Sequence, residues 1–349
     1  ARSTNIHGSG TFSLGADTRL EAVRSNVLGV LLDSASAFPL GAHRVNADGF
    51  ASESWGSADG LFRATVTLGA NLNSQFGARL LPAVDAVQRF RFGQPKGARA
   101  QPWAVFASAG RSVRHPSYTD LYYQGGAFGR ADLRPEVADQ IEAGIRYRQH
   151  RVDHPQLAPP RLLGTVGAEA TAWLRRGSDL IDWVLLPESQ AFQAANLTST
   201  VHRGLELAAD YHPGPSEVRR IQSLRIAYAA TTARLDSGEY VSSYALDIVR
   251  RKADAVAGFL LPGRVLLEVR ATHQARNGSY VDAAGNRFDY APFTWLGVGA
   301  SRWFAEGQIQ AFVRADNLLD ATYVDFGNVV QPGRWWRMGL TWQHRQARP

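Results

Sequence analysis

Residues 161–176, RLLGTVGAEATAWLRR, alternate apolar and polar side chains over the length of a long β-strand. The apolar positions are Leu162, Val166, Ala168, Ala170, Ala172 and Leu174, and the intervening polar positions include Thr165, Glu169, Thr171 and Arg175. Successive side chains of a strand point to opposite faces. The stretch therefore predicts a strand with one apolar face and one polar face. VHRGLELAADY (201–211) and RVLLEVRATHQ (264–274) repeat the pattern.

Strands of this kind recur along the whole chain, without a sustained helical period. We predict about fifteen, with the spans 4–15, 18–32, 48–56, 60–73, 79–93, 101–113, 137–149, 161–176, 199–212, 219–235, 249–261, 264–276, 291–303, 307–316 and 334–344. Their length exceeds the ~5–6 residues usual in globular sheets and suits the ~9–11 residues with which a tilted strand crosses a bilayer. The sequence therefore predicts an all-β fold, a transmembrane antiparallel β-barrel.

The predicted links between strands alternate in length. Short links are expected at 16–17, 57–59, 262–263 and 304–306, and long ones at 33–47, 114–136, 177–198, 236–248, 277–290 and 317–333. Short turns on one rim and long loops on the other are typical of outer-membrane barrels. The links near 94–100 and 150–160 are longer than this rule expects. A propeller would show a repeat of about 40–50 residues, and none is found.

Composition excludes several other classes of protein. The 349-residue chain has a net charge of +7, but its arginines are scattered and Lys96 and Lys252 are its only lysines, which argues against nucleic-acid binding. Cysteine is absent, so no disulfide or thiolate site forms. The nine histidines show no metal-binding spacing, and no catalytic motif is present. We expect no enzyme activity, cofactor or metal. Because the chain begins with Ala1 and lacks a signal peptide, we expect a processed chain or a fragment.

The carboxy-terminal stretch FVRADNLLDATYVDFGNVVQPGRWWRMGLTW (312–342) resembles the signature of TonB-dependent outer-membrane receptors. The residues that carry this resemblance are Asn317, Asp320, Tyr323, Pro332, Gly333 and Arg334. Three earlier segments, beginning at 107, 131 and 196, resemble the family in the same order. They are ASAGRSVRHPSYTDLYY, ADLRPEVADQIEAGIRYR with Leu133, Pro135, Glu136, Glu142 and Gly144, and NLTSTVHRGLELAADY with Asn196, Gly204 and Glu206.

The resemblance implies a function in transport across the outer membrane of a Gram-negative bacterium. Family members form a 22-stranded barrel with a plug, contact lipid and lipopolysaccharide, and receive energy from TonB through a plug segment, the TonB box. Residues 1–349 look like one partial barrel domain, strands eight to twenty-two, without the plug and first seven strands. We therefore expect an open or incomplete barrel. Residues 178–207 and 275–304 resemble receptors of the vitamin B12 type, so a cobalamin-like ligand is expected first and a ferric siderophore second.

Candidate site residues fall into two sets. The ligand candidates are loop aromatics, which give large contact area at low entropic cost, although loop packing explains them as well: Tyr118, Tyr122, Tyr123, Trp183, Phe192, Tyr280, Phe288 and Tyr290. The candidates for the barrel lumen are Arg175, Glu206, Arg225, Arg270 and Arg314, with Glu169 and Glu268 also expected to face inward.

The final strand resembles the family's last strand at Arg337, Gly339 and Trp342, with His344 where a second aromatic is usual. Its tryptophans Trp335, Trp336 and Trp342 suit the aromatic girdles at the membrane interfaces. Two alternatives stay open. One is a passive outer-membrane porin. The other is a secreted enzyme or sugar-binding β protein.

Overall fold

The computed structural model describes residues 2–4, 10–23, 28, 42–90, 102–148, 164–185, 191–213, 220–235, 241–242, 247–282 and 284–343. Their strands are β1 Arg2–Thr4, β2 Gly10–Val23, β3 Ala42–Gly56, β4 Phe62–Asn73, β5 Gly77–Phe90, β6 Trp103–Arg114, β7 Ala127–Phe128, β8 Glu136–Arg148, β9 Gly164–Leu185, β10 Phe192–Pro213, β11 Ile221–Leu235, β12 Val241–Ser242, β13 Val249–Leu261, β14 Val265–Arg276, β15 Ser279–Val281, β16 Arg287–Asp289, β17 Phe293–Phe304, β18 Ile309–Asp316 and β19 Trp335–Trp342. One helix, α1 (Tyr118–Tyr122), and two 3-10 turns, Pro262–Arg264 and Ala305–Gly307, accompany them. No helix in these ranges has the length and apolar character to cross a membrane.

Fifteen of these strands form one antiparallel meander, in which each strand pairs with the next along the chain. The order is β1-β2-β3-β4-β5-β6-β8-β9-β10-β11-β13-β14-β17-β18-β19. The short β7 and β12 pair with β10 and β9, and β15 and β16 form a separate hairpin. No residue register joins β19 to β1 or β2 within the described ranges.

The strand registers give the sheet two chemically different faces. On β10, Glu206 pairs with Thr171 and Ala229, while Leu205 pairs with Ala172 and Ala230. We call the face that carries Glu206 the polar face and the face that carries Leu205 the apolar face. The apolar face is left uncovered, with 42% of Leu205 and 84% of Met338 exposed. Uncovered apolar surface on this scale is typical of surfaces that contact protein or lipid, and one apolar face opposite one polar face is typical of a membrane barrel.

Large aromatic residues lie on the apolar face at the end of the sheet where short turns connect the strands. They are Trp55, Phe62, Phe90, Trp103, Tyr147, Phe304 and Trp342. Trp103 and Tyr147 are cross-strand partners whose ring centroids lie 4.8 Å apart. An amphipathic ring favours the boundary between acyl chains and headgroups. The arrangement is that of one interfacial girdle.

Most predicted strand boundaries are confirmed within two residues, but the predicted turn at 16–17 is wrong. β2 runs unbroken from Gly10 to Val23, with Ala16 opposite Gly49 and Asp17 opposite Asp48. Gly15 suits this pairing, because the Phe50 ring occupies the space where a Cβ would stand. The local sequence looked like a turn, and the partner strand keeps it extended. The predicted strand 18–32 thus belongs to β2 up to Val23, and residues 24–27 and 29–32 lie outside the described ranges.

The predicted loop 177–198 is also wrong, because most of it is strand. β9 continues to Leu185 and β10 begins at Phe192, so each strand has 22 residues. Both faces of this extended hairpin are covered. Ile181 and Ala194 pack with Leu121 and Leu133, and Val184 packs with Leu197 on the other side. Burial by segments distant in sequence stabilises a hairpin whose own residues look like a loop.

Candidate functional site

The candidate site lies at the rim where the long loops meet, and the β6–β8 loop (115–135) is its best-defined part. A capping box starts α1 in this loop. The Ser117 hydroxyl accepts a hydrogen bond from the Asp120 amide at 3.1 Å, and the Asp120 carboxylate accepts one from the Ser117 amide at 2.9 Å. This reciprocal pair satisfies two free amides of the helix start. It fixes a helix that the strand periodicity did not predict.

Arg44 of β3 attaches this loop to the barrel wall. Its Nε donates to Glu21 at 2.5 Å and its Nη1 donates to the Pro116 carbonyl at 2.6 Å. Its guanidinium also lies 4.9 Å from the centroid of the Tyr118 ring. The side chain is only 8% exposed, so the contacts are shielded from water. We call this group of contacts the loop anchor.

Buried amides beside the anchor continue it along the polar face. Asn71 donates to Asp48 at 2.7 Å, and the His115 Nε2 lies 2.7 Å from the Asn71 carbonyl oxygen. Since that oxygen only accepts, His115 donates from Nε2 in this contact. Burial lowers the pKa of His115, and the charges of Arg44 and Arg79 lower it further. A neutral His115 is thus part of the docked loop.

A second group of contacts joins the β11–β13, β14–β17 and β18–β19 loops, and we call it the three-loop junction. Arg276 donates to the Asp247 carbonyl at 3.0 Å and lies 3.4 Å from the Asp325 carboxylate. Gln274 donates to the same Asp325 oxygen at 2.5 Å. The Asp247 side chain is 6% exposed. One arginine therefore holds carboxylates from two different loops.

Tyr290 completes the three-loop junction. Its hydroxyl donates to the Asp247 carboxylate at 2.8 Å and accepts from the Gly327 amide at 2.9 Å. Burial raises the pKa of Tyr290 to about 12, and the hydrogen bond to Asp247 adds to the shift. The Tyr280 ring lies tilted against this ring, with centroids 5.4 Å apart, and Phe288 stacks on Tyr280. The hydroxyl of Tyr290 thus already donates and accepts a hydrogen bond within the protein.

The carboxy-terminal signature residues lock the β18–β19 loop. Asn317, with a φ of 50°, is 1% exposed and bonds the Ala321 amide, the Ala321 carbonyl and the Pro332 carbonyl. Asp320 accepts from the Arg334 amide at 2.7 Å. A Cβ on Gly333 would stand 2.8 Å from that carboxylate. The contacts to Pro332, Gly333 and Arg334 join the start of the loop to its end.

The other signature residues also have structural contacts. Buried Glu136 accepts from Arg114 at 2.5 Å and from the Ile181 amide at 2.8 Å, and Pro135 before it is buried. Gly204 lies under the Trp173 ring, which leaves no room for a Cβ. The indole of Trp173 donates to Glu206 at 3.2 Å. Tyr323 stacks on Phe293 with ring centroids 4.0 Å apart.

A cavity of about 340 Å³ opens on the polar face of β8, β9 and β10, and we call it the rim cavity. Its lining includes Arg114, Glu136, Trp173, Arg175, Thr200 and His202. The Arg114 charge is balanced by Glu136 at 2.5 Å. Arg175 has no carboxylate within ion-pair distance among the described residues. The cavity therefore presents an uncompensated positive charge, which suits an anionic group.

The predicted lumen residues all lie on the polar face. Arg225 is the register partner of Asp210, and Arg314 is the partner of Arg337. Arg270 pairs with Glu268 at 2.6 Å, and Glu169 pairs with Arg146 at 2.5 Å. Glu206 and Arg175 lie on the same face of β10 and β9, as described above.

The predicted ligand aromatics gather in two clusters. Tyr118 stacks on Tyr122, and Tyr123 meets Trp183 edge-on at 6.0 Å. The second cluster is the Tyr280, Phe288 and Tyr290 group of the three-loop junction. Trp183 and Phe192 lie on strands, and Phe192 stands apart from both clusters at the start of β10.

One of the predicted girdle tryptophans is on the wrong face. Trp336 and Trp342 lie on the apolar face as expected, together with Met338 and Leu340. Trp335 lies on the polar face, where the Arg337 guanidinium is 4.5 Å from its ring centroid. Strict alternation along β19 forbids adjacent residues from sharing a face. His344 lies outside the described ranges.

Sequence reasoning missed the residues that hold the loops. Arg44 lies in a segment predicted as loop, and its partner Pro116 is 72 positions away. Asp247, Arg276 and Asp325 belong to no motif that the sequence reveals. The one available signal was the spacing Ser117-x-x-Asp120, which is typical of a capping box.

Comparison with known proteins identifies the family of the β-sheet that carries these loops. The family model described as TonB dependent receptor-like, beta-barrel, matches residues 5–342. No curated relative matches the sequence at a significant level.

Solved structures share the fold at low sequence identity. The siderophore receptor PirA from Pseudomonas aeruginosa is 14% identical, with a TM-score of 0.65 over 97% of this chain and 52% of its own. The FrpB iron transporter from Neisseria meningitidis (F3-3 variant) is 13% identical, with a TM-score of 0.66 over 97% and 53%. The copper transporter OprC is 16% identical, with a TM-score of 0.66 over 96% and 54%. The chain spans about half the length of these structures. Since the family model covers almost all of it, the chain belongs to the TonB-dependent receptors, as part of their β-barrel.

Proposed function

We propose that the protein containing this chain takes up a large metal-bearing solute across the outer membrane of a Gram-negative bacterium, with energy supplied through TonB. The observation that carries the proposal is the rim cavity, whose lining includes Trp173 and the unbalanced Arg175. Aromatic faces bind flat chelates and macrocycles, and the arginine attracts an anion. The structural neighbours include a siderophore receptor, an iron transporter and a copper transporter, and metal-bearing solutes of this kind support the proposal.

Between the two ligands expected from the sequence, the cavity favours an anionic ferric siderophore over a cobalamin-like ligand. Arg175 lies near His202 on the same wall, and the described carboxylate of the cavity, Glu136, is already bonded to Arg114. A guanidinium that lacks a protein partner gains most from a ligand that brings negative charge. The cavity is at the small end of the ~300–1,000 Å³ range of ligand pockets. It would hold one part of such a ligand.

Binding titrations of the full-length receptor test the ligand class. We expect a ferric siderophore to bind, and Arg175→Gln to weaken that binding by about tenfold, while Arg176→Gln leaves it unchanged. Arg176 is the matched control, because it is the next residue of β9 and lies on the apolar face. Binding of cyanocobalamin but not of ferric siderophores would reverse the ligand preference. Binding of neither would contradict the uptake proposal.

Uptake in cells tests the energy source. Radiolabelled ferric siderophore should accumulate in cells that express the receptor and should fail to accumulate in an otherwise identical strain without TonB. A passive porin would transport equally in both strains.

A further inference from the structure

The rim cavity is the upper end of a groove on the polar face of β8–β11. Below it lies a cavity of about 200 Å³, followed by one of about 660 Å³ at the end of these strands opposite the long loops. We call them the middle cavity and the lower cavity. Trp173 of the rim cavity donates to Glu206 of the middle cavity, and Glu169 and Arg225 line both the middle and the lower cavity. The three cavities therefore follow one another along the same strands.

The groove spans most of the height of the wall. On β9 it extends from Arg175 to Gly167, eight residues that cover about 26 Å at about 3.3 Å each. At the 35–45° tilt of outer-membrane strands this corresponds to about 20 Å of the roughly 25 Å apolar band. Alanines form its floor, since Ala208 is the register partner of both Glu169 and Ala227. Their short side chains leave space between the charged residues.

Two guanidiniums of the lower cavity lack a carboxylate. Arg148, Gly167, Asp210 and Arg225 are successive register partners across β8, β9, β10 and β11. The Asp210 carboxylate occupies the space where a Cβ on Gly167 would stand, so it leans toward β9 and away from Arg225. Arg148 and Arg225 are both exposed. In the part of the chain that the structure describes, neither has a carboxylate within ion-pair distance.

The other charged groups of the lower cavity lie beside partners. Arg146 pairs with Glu169 at 2.5 Å, and the Asp210 carboxylate lies 3.9 Å from the His212 Nε2. The lining thus carries three guanidiniums against two carboxylates, which leaves an excess of positive charge. A concave, low-dielectric wall concentrates the field of such a charge and attracts anions.

The spacing of the two unpaired guanidiniums favours a ligand with more than one acidic group. Arg148 and Arg225 stand three strand spacings apart, which at about 4.8 Å each separates their backbones by about 14 Å. A guanidinium binds a carboxylate or a similar oxyanion through two parallel hydrogen bonds. A chelate with negative charge on two sides can therefore contact both arginines, whereas a single small anion can contact only one.

We propose that the lower cavity is a second binding site for a metal chelate with at least two acidic groups, which occupies it after leaving the rim cavity and before entering the periplasm. The short turns of outer-membrane barrels face the periplasm, so the lower cavity lies at the exit. The inference rests on the proposed function and deepens it. It adds a site that acts in passage, whereas the rim cavity acts in capture.

Binding and uptake measured on the same cells test the inference. The probes are a radiolabelled ferric tricatecholate and a radiolabelled ferric polycarboxylate siderophore, supplied to cells that express the full-length receptor. For the probe that the wild type takes up, we expect Arg148→Gln/Arg225→Gln to bind it with unchanged affinity and to import it at least about fivefold more slowly. Arg148→Lys/Arg225→Lys should recover part of the rate, because it keeps the charges but loses the two-pronged geometry.

Arg63→Gln/Arg89→Gln is the matched control for the loss of two charges. Both arginines lie on the polar face at the same end of the sheet, on β4 and β5, and neither lines any of the three cavities. We expect this double variant to import the probe at the wild-type rate. Equal losses in the two double variants, or wild-type import in Arg148→Gln/Arg225→Gln, would overturn the inference.

Sensitivity of the cells to a large antibiotic separates a ligand site from contact with the plug. If Arg148→Gln/Arg225→Gln made the cells sensitive, the two arginines would hold the plug, and the inference would fail. Heat-modifiable migration on gels shows whether the variants fold, and if the double variant does not, each single variant should still slow import. A wild type that imports neither probe would contradict the proposed function and this inference together. Normal wild-type import with an unchanged variant would overturn this inference alone.

Discussion

Replacing Arg44 with alanine should release the β6–β8 loop from the barrel wall. The change removes the two contacts of Arg44 with the loop, the hydrogen bond to the Pro116 carbonyl and the cation above the Tyr118 ring. It also removes the bond to Glu21, which lies on β2 and does not join the loop to the wall. A hydrogen bond to a charged group contributes about 1.5–3 kcal/mol, and a shielded cation–π contact contributes about 1–2 kcal/mol. Since such terms do not add fully, we expect a loss of about 3 kcal/mol in the docking free energy of the loop.

Hydrogen exchange of the loop amides measures this loss. The amides of Asp120, Leu121 and Tyr123 are hydrogen-bonded within the loop, so they report its opening. A loss of about 3 kcal/mol corresponds to roughly a 100-fold faster exchange, since each ~1.4 kcal/mol is a factor of ten. The rest of the sheet should exchange as in the wild type.

Arg19→Ala is the matched control for Arg44→Ala. Arg19 pairs with the same carboxylate, Glu21, at 2.8 Å, but 66% of its side chain is exposed. An exposed ion pair contributes at most about 1 kcal/mol, so the control should change exchange less than about fivefold. If Arg44→Ala changed loop exchange no more than Arg19→Ala does, the loop anchor would not hold the loop.

Three further predictions concern the same rim. Asn317→Ala should lower the free energy of unfolding by about 2–3 kcal/mol, because it removes buried hydrogen bonds. Asn328→Ala, at an exposed position of the same loop, is the control. Equal shifts of the melting temperature in the two variants would contradict the locking role of Asn317. The pKa of His115 is lowered, so docking should weaken as the pH falls below about 6.5. After correction for the intrinsic pH dependence of amide exchange, the protection factors of the loop amides should fall in acid in the wild type and stay constant in His115→Gln. Tyr290 keeps its proton to about pH 12, so its stabilising contribution is present below about pH 10 and lost between 10 and 12. An absorbance titration of phenolate should show a step near pH 12 that Tyr290→Phe lacks. A wild-type protein without that step would contradict the assignment.

The sequence was informative where the physical cause is local. Alternation over 161–176 predicted both faces of β9, because the side-chain period of a strand does not depend on the partner. The signature at Asn317, Asp320 and Arg334 marked a real lock, whose contacts join residues at most 15 positions apart. Both features require only short stretches of chain.

The sequence was misleading where distant segments decide the structure. Polar residues near Asp179 suggested a loop, yet the hairpin continues because α1 covers one side of it, as the Leu121 and Ile181 contact shows. Arg44 had no local signal, since its contacts come from β2 and from a loop 72 positions away. Contacts of this kind form only when the strands have assembled into the sheet, so the local pattern of one sequence does not predict which residues make them.

The most direct test of the account is to measure which face of β10 meets lipid. The chain contains no cysteine, so a single spin label can be placed at Leu205, Glu206 or Leu207 of the full receptor in bilayers, in a background without other cysteines. The account predicts that labels at 205 and 207 collide mainly with oxygen dissolved in lipid, and that the label at 206 collides mainly with a water-soluble nickel chelate. Equal accessibility at the three positions, or the reverse pattern, would contradict a wall with lipid on one side and water on the other.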